Sequence, residues 1–131
     1  MESEEVDGGW GRSARAWVEF QDRGDPTRTI LLDPVMLRLC GQVAGRRVLD
    51  LGCGEGRFCR LLSERGGAVV GLDLIREMVA TAHKRRLGDE WFVEASAEAL
   101  PFVDGVFDLV VSYITMVDIP DFRAAIREAA R

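Results

Sequence analysis

The sequence predicts a doubly wound α/β domain on three observations. Short apolar runs alternate with longer stretches of helical periodicity; two of the runs end on an acid, at Asp50 and Asp73; and three glycines at every second position follow the first acid. At 131 residues and 47% apolar content, the chain can build one core and is too short for two.

In chain order, residues 1–9 are acidic and have no apolar core, which predicts a disordered tail. Residues 10–45 predict a helical cap. Ser13 is placed to cap a helix through about Arg23, with Trp17 and Phe20 on one face as core or lid, and Gly24 past its end. Asp25 to Thr29 read as a turn. Asp33-Pro34 is a cap followed by proline at the first helical position, and Val35, Met36, Leu39 and Cys40 carry that helix to Gly41.

Residues 46–131 carry the alternating pattern. Arg46 to Leu51 is the first strand and Gly52, Gly54 and Gly56 its turn; Arg57 to Arg65 is a helix burying Phe58, Leu61 and Leu62, stopped by Gly66-Gly67. Ala68 to Leu72 is the second strand. Ile75 to Leu87 is a helix with Met78, Val79 and Ala82 inward and Gly88 as its stop; His83 reads as a surface residue and Lys84-Arg85-Arg86 as a solvated helix end. Trp91 to Glu94 is the third strand, and Val106 to Ser112, after the Asp104-Gly105 turn, the most apolar. Pro120 and Asp121 start a last helix with Phe122, Ala125, Ile126 and Ala129 inward. Right-handed crossovers between parallel strands bring Asp50, Asp73 and the segment from Ser112 to Met116 to one sheet edge.

Composition excludes several classes. Acidic residues outnumber basic ones, 22 to 17, against a general nucleic-acid surface. Three cysteines, one histidine and no C-x-x-C predict reduced thiols and no metal site. No stretch is long enough to cross a bilayer, so the expectation is a cytoplasmic protein without a membrane partner. At the glycine turn, a dinucleotide fingerprint would need glycine where Arg57 stands, and no Gly-Lys-Ser/Thr follows. Asp50 would repel a pyrophosphate and attract an ammonium or sulfonium.

The series Asp50, Gly52, Gly54, Gly56 resembles the first motif, D-x-G-x-G-x-G, of the class I S-adenosylmethionine-dependent methyltransferases. Ser96 to Phe102 resembles their D-A-x-x-L-P-F motif with serine in place of the aspartate, and VFDLVVS resembles F-D-x-V; the resemblance covers roughly residues 46–131. It implies a Rossmann-like sheet of strand order 3-2-1-4 and S-adenosylmethionine as cofactor. Asp50, Leu51, Gly52, Cys53, Gly54 and Gly56 would form the cofactor turn, with Asp73 on the ribose hydroxyls. Leu74 and Met78 would flank the adenine, Ser96 and Ala97 would meet its amino edge, and Ser112 and Tyr113 would close the site. The implied activity is direct methyl displacement onto an unidentified small-molecule acceptor; Tyr113, Thr115 and Asp118 are the candidates for a general base at that edge, with Asp118 read rather as the approach to a helix and Tyr113 as the residue facing the acceptor.

Two alternatives stand beside this reading: a degenerate domain that binds the cofactor without turnover, and an NAD(P)-binding oxidoreductase. Family members continue through V-L-x-P-G-G into further strands. The expectation is therefore that the C-terminal strands are missing, and that the last strand's bare edge marks a fragment or a homodimer contact.

Overall fold

The computed structural model describes residues 7–131, so residues 1–6 of the tail expected over residues 1–9 lie outside them, whereas Asp7 to Gly9 are described and lead into the first helix. The first helix, α1, spans Trp10–Asp22, and a π-helical turn over Thr27–Leu32 leads into α2, Asp33–Cys40. Then β1 (Arg47–Leu51), α3 (Arg57–Glu64), β2 (Ala68–Asp73), α4 (Arg76–Arg85) and β3 (Trp91–Glu94) alternate. Finally β4 (Leu109–Ser112) is followed by a 3-10 turn, Met116–Asp118, and by α5, Phe122–Ala130.

The sheet is parallel throughout, in the order β3-β2-β1-β4. This is the expected doubly wound arrangement. β1 lies between two strands and reads as a continuous buried run from Val48 to Leu51. Alternation along it sends Val48 to a core with Phe58, Cys59, Leu62, Val79, Ala82 and Phe92, and sends Leu49 and Leu51 to a second core with Leu72, Phe102 and Phe107. Asp50 therefore shares the face of Val48 and not that of Leu51. At the opposite end of the sheet, the Asp108 carboxylate accepts from the Arg47 backbone N–H (2.8 Å) and from its guanidinium (3.1 Å), which joins β4 to β1.

Several elements differ from expectation for local reasons. Ser13 is no cap: α1 starts earlier, behind Gly9, and the Asp7 carboxylate takes the N–H groups of Gly9 and Gly11. Asp33 is itself helical, and its side chain points inward instead of capping. β4 is shorter than Val106 to Ser112, because Asp108 turns to Arg47 before the ladder begins. α4 ends at Arg85, short of Gly88, since Glu90 collects the N–H groups of Leu87 and Gly88 into a separate turn. His83 is not a plain surface residue: its Nε2 donates to the Phe92 carbonyl at 3.1 Å and its ring meets Trp91 and Phe92 edge-on, tying α4 to β3. On α5 the small residues do the packing, Ala125 fully and Ala129 in part, while Phe122 and Ile126 stay exposed. Among the described residues no helix is long and apolar enough to cross a membrane.

Candidate functional site

The glycine turn owes its shape to what packs on each glycine. The N–H groups of Gly52 and Cys53 both donate to the Leu72 carbonyl, at 2.7 and 3.0 Å, and hold the turn against β2. A Cβ on Gly52 would stand 2.1 Å from the Thr115 methyl. At Gly56 (φ 88°) it would press on Phe92 and Ala82 at 3.0 and 3.1 Å; at Gly54 (φ 56°) it would meet no protein atom within 4 Å. Gly54 is thus the glycine whose bare face opens onto space.

That space is a cavity of about 330 Å³ at the C-terminal edge of the sheet, where open α/β sheets bind ligands. Of the residues singled out from sequence, Asp50, Gly52, Cys53, Gly54, Asp73, Leu74, Met78, Ser96, Ala97, Tyr113 and Thr115 line it. Leu51, Gly56 and Ser112 do not. Leu51 is fully buried on the other face of the sheet, Gly56 is filled by Phe92, and Ser112 is drawn into the sheet opposite Leu51.

The two strand-end acids differ in their partners. Asp73 accepts from the N–H of Gly54 through Oδ2 and from the N–H of Ile75 through Oδ1, both at 2.9 Å. Burial raises its pKa, and those backbone donors work against the rise. Asp50 is 1% exposed; its Oδ2 accepts the Cys59 thiol at 3.3 Å and its Oδ1 has no partner. Burial pushes its pKa up to about 7, opposed by the Cys59 hydrogen bond and reinforced by Asp73. A buried carboxylate oxygen without a donor is costly unless something cationic or hydrogen-bonding arrives.

Across the cavity stands a second polar cluster. Asp33 receives a bidentate contact from Arg57 and the Tyr113 hydroxyl at 2.7 Å. Burial, then this hydrogen bond, raises the Tyr113 pKa, so its hydroxyl is a committed donor and not a base. Arg28, on the π-helical turn, lies 5.2 Å from the Trp17 ring centre and 4.8 Å from that of Tyr113. Ile114, β-branched yet at φ 55°, forms the rim beside Thr115. The Cys59 thiol is pushed well up by its hydrogen bond with Cys53, by burial and by Asp50, which makes it a poor nucleophile.

Residues 49–131 match the family model described as a methyltransferase domain. The chain belongs to that family. This methyltransferase domain is 33% identical over 117 residues to a malonyl-[acyl-carrier protein] O-methyltransferase of Enterobacter lignolyticus, covering 89% of this chain and 45% of that protein. Among solved structures it resembles an S-adenosylmethionine-dependent methyltransferase of Mesorhizobium loti (29% identity, TM-score 0.69, 82% of this chain and 48% of that one). It also resembles magnesium protoporphyrin IX methyltransferase of Synechocystis PCC 6803, solved with bound S-adenosylmethionine (27% identity, TM-score 0.63, 75% and 50%). The domain spans half or less of the length of each of these relatives.

Sequence reasoning missed the part of the methyltransferase cavity built by the cap, by Glu55 of the glycine turn and by Arg57 at the start of α3. Trp10, Trp17, Gln21 and Arg28 line it, as do Glu55 and Arg57. The one usable signal was the aromatic spacing of α1, where Trp17 stacks on Phe20 at 5.6 Å and meets Trp10 edge-on at 5.5 Å.

Proposed function

We propose that the chain is the cofactor-binding portion of an S-adenosylmethionine-dependent methyltransferase acting on a small-molecule acceptor. The observation that carries this is the unpartnered Oδ1 of Asp50, a buried carboxylate beside the glycine turn that lines the cavity. It fits a ligand with a cationic amino-acid end and fits a pyrophosphate badly.

S-Adenosylmethionine supplies a methyl group already activated on a sulfonium, so the protein's task is to orient, hold and keep water out. Asp50 takes the ammonium, and Arg28, held between Trp17 and Tyr113, takes the carboxylate. Asp73 keeps lone pairs for the ribose hydroxyls after accepting two backbone donors. Leu74 and Met78 flank the adenine, and Ser96, whose Oγ already accepts from the Glu98 N–H, meets the amino edge with the capacity it has left. Tyr113 shapes the acceptor wall as a positioned ring, edge-on to Phe58 at 4.9 Å. Thr115 Oγ1 lies 3.4 Å from the carbonyls of Gly52 and Tyr113, so this hydroxyl too is engaged as a donor.

Calorimetry with S-adenosylmethionine and with NADH tests the cofactor: binding of NADH alone would overturn the proposal. Release of S-adenosylhomocysteine on adding a cell extract separates turnover from binding.

A further inference from the structure

The basic run at the end of α4 does more than complement a helix dipole. Arg85 makes a two-pronged contact with Asp22, the last residue of α1, at 2.8 and 3.0 Å. The same guanidinium reaches the carboxylate of Glu55 in the glycine turn at 3.2 Å. Glu55 has a side chain only 3% exposed and shares that oxygen with Arg60 at 2.7 Å; Arg60 also donates to the Glu55 carbonyl at 2.9 Å. One cation therefore touches both the turn that floors the cavity and the helix that covers it.

Besides Arg85, the Arg28 guanidinium meets α1 over the Trp17 ring, and the helix buries little of its own surface. It carries Trp10, Trp17 and Gln21 over the cavity, yet Ala14 is its only fully buried residue. Beyond its C-terminus Gly24 sits at φ 90°, a backbone conformation that glycine adopts at little cost, and it marks the joint between α1 and the π-helical turn. An element with little buried apolar surface and a polar tie opens at a free energy well below that of global unfolding.

We infer that α1 is a lid over the cavity and that Arg85 is its latch, a positioning residue that couples the glycine turn, through Glu55, to the closed position of α1. The lid's role in retaining a cofactor rests on the reading proposed above; the latch itself does not. Its outer arm is half exposed at Asp22 and screened by salt, whereas the Glu55 arm is buried.

Hydrogen exchange on the full, ligand-free chain tests the latch. In Asp22→Asn and Arg85→Gln, amides of residues 13–22 should exchange about two- to fivefold faster, while those of β1 and β2 keep their protection and Arg85→Lys restores part of it. Unchanged exchange in α1 of Asp22→Asn overturns the proposal. Should Arg85→Gln lose protection in β1 as well, Asp22→Asn, which leaves Glu55 and its two arginines intact, decides alone. Stopped-flow release of S-adenosylhomocysteine then tests retention: faster release from both variants supports the lid, and equal release overturns its role in retention. Failure of the wild type to bind would overturn the cofactor reading while leaving the exchange result to judge the latch.

Discussion

The ends of β1 and β2 make an instructive pair. Each strand carries an aspartate at the same sheet edge, Asp50 one residue before the end of β1 and Asp73 as the last residue of β2, and both carboxylates are largely buried. Asp73 is met by two backbone N–H groups and helps to shape the turn whether or not a ligand is present. Asp50 is met by one thiol and keeps an orphaned oxygen. One acid is thus structural as well as cavity-facing, while the other leaves a desolvated oxygen without a donor beside the same cavity. Identical side chains at one sheet edge acquire different work from the donors around them.

Substitution should separate the two. Asp73→Ala strands the Gly54 N–H and removes the ribose acceptor, so thermal midpoint and cofactor affinity should both fall, the latter by about 1.5 to 3 kcal/mol. Equal calorimetric affinity for variant and wild type would remove Asp73 from the site. Asp50→Asn should split the two readouts: affinity weakens about ten- to thirtyfold from the lost charge, while the midpoint at pH 8 stays level or rises because a desolvated anion is gone.

Acidity sharpens the same contrast. The folded pKa of Asp50, about 7, stands above its ordinary 3.8, so the folded state binds the extra proton between those values and ligand-free stability falls as pH rises through that window. Affinity for a cationic cofactor should move the other way, rising roughly tenfold from pH 6 to pH 8 as the carboxylate ionises. Titration calorimetry across that range should give a flat profile for Asp50→Asn; a sloping one would assign the dependence elsewhere.

The smallest expected effects on stability belong to the glycines between the two acids. Either alanine variant costs about 1 kcal/mol for a left-handed backbone. Gly56→Ala adds a clash with Phe92 and should lower the midpoint further, whereas Gly54→Ala projects into open cavity and should lose binding beyond its stability cost. Paired melting and titration curves check this, and the reverse pattern would exchange the two assignments.

The sequence alone determined the order of strands and helices, the glycine turn and the edge where Asp50 and Asp73 meet. These follow from local periodicity, from residues that tolerate left-handed backbone, and from the handedness of parallel crossovers. Leu51 and Gly56 were misplaced for a reason also local: motif membership says nothing of which sheet face a side chain takes or what already fills the space beside it. Only the tertiary structure decided the rest of the cavity. Tyr113 donates to Asp33 across 80 positions, Arg85 grips Asp22 across 63, and Arg28 finds two aromatic rings from separate elements. Long charged side chains choose partners by proximity in space, and no periodicity in the chain records that choice.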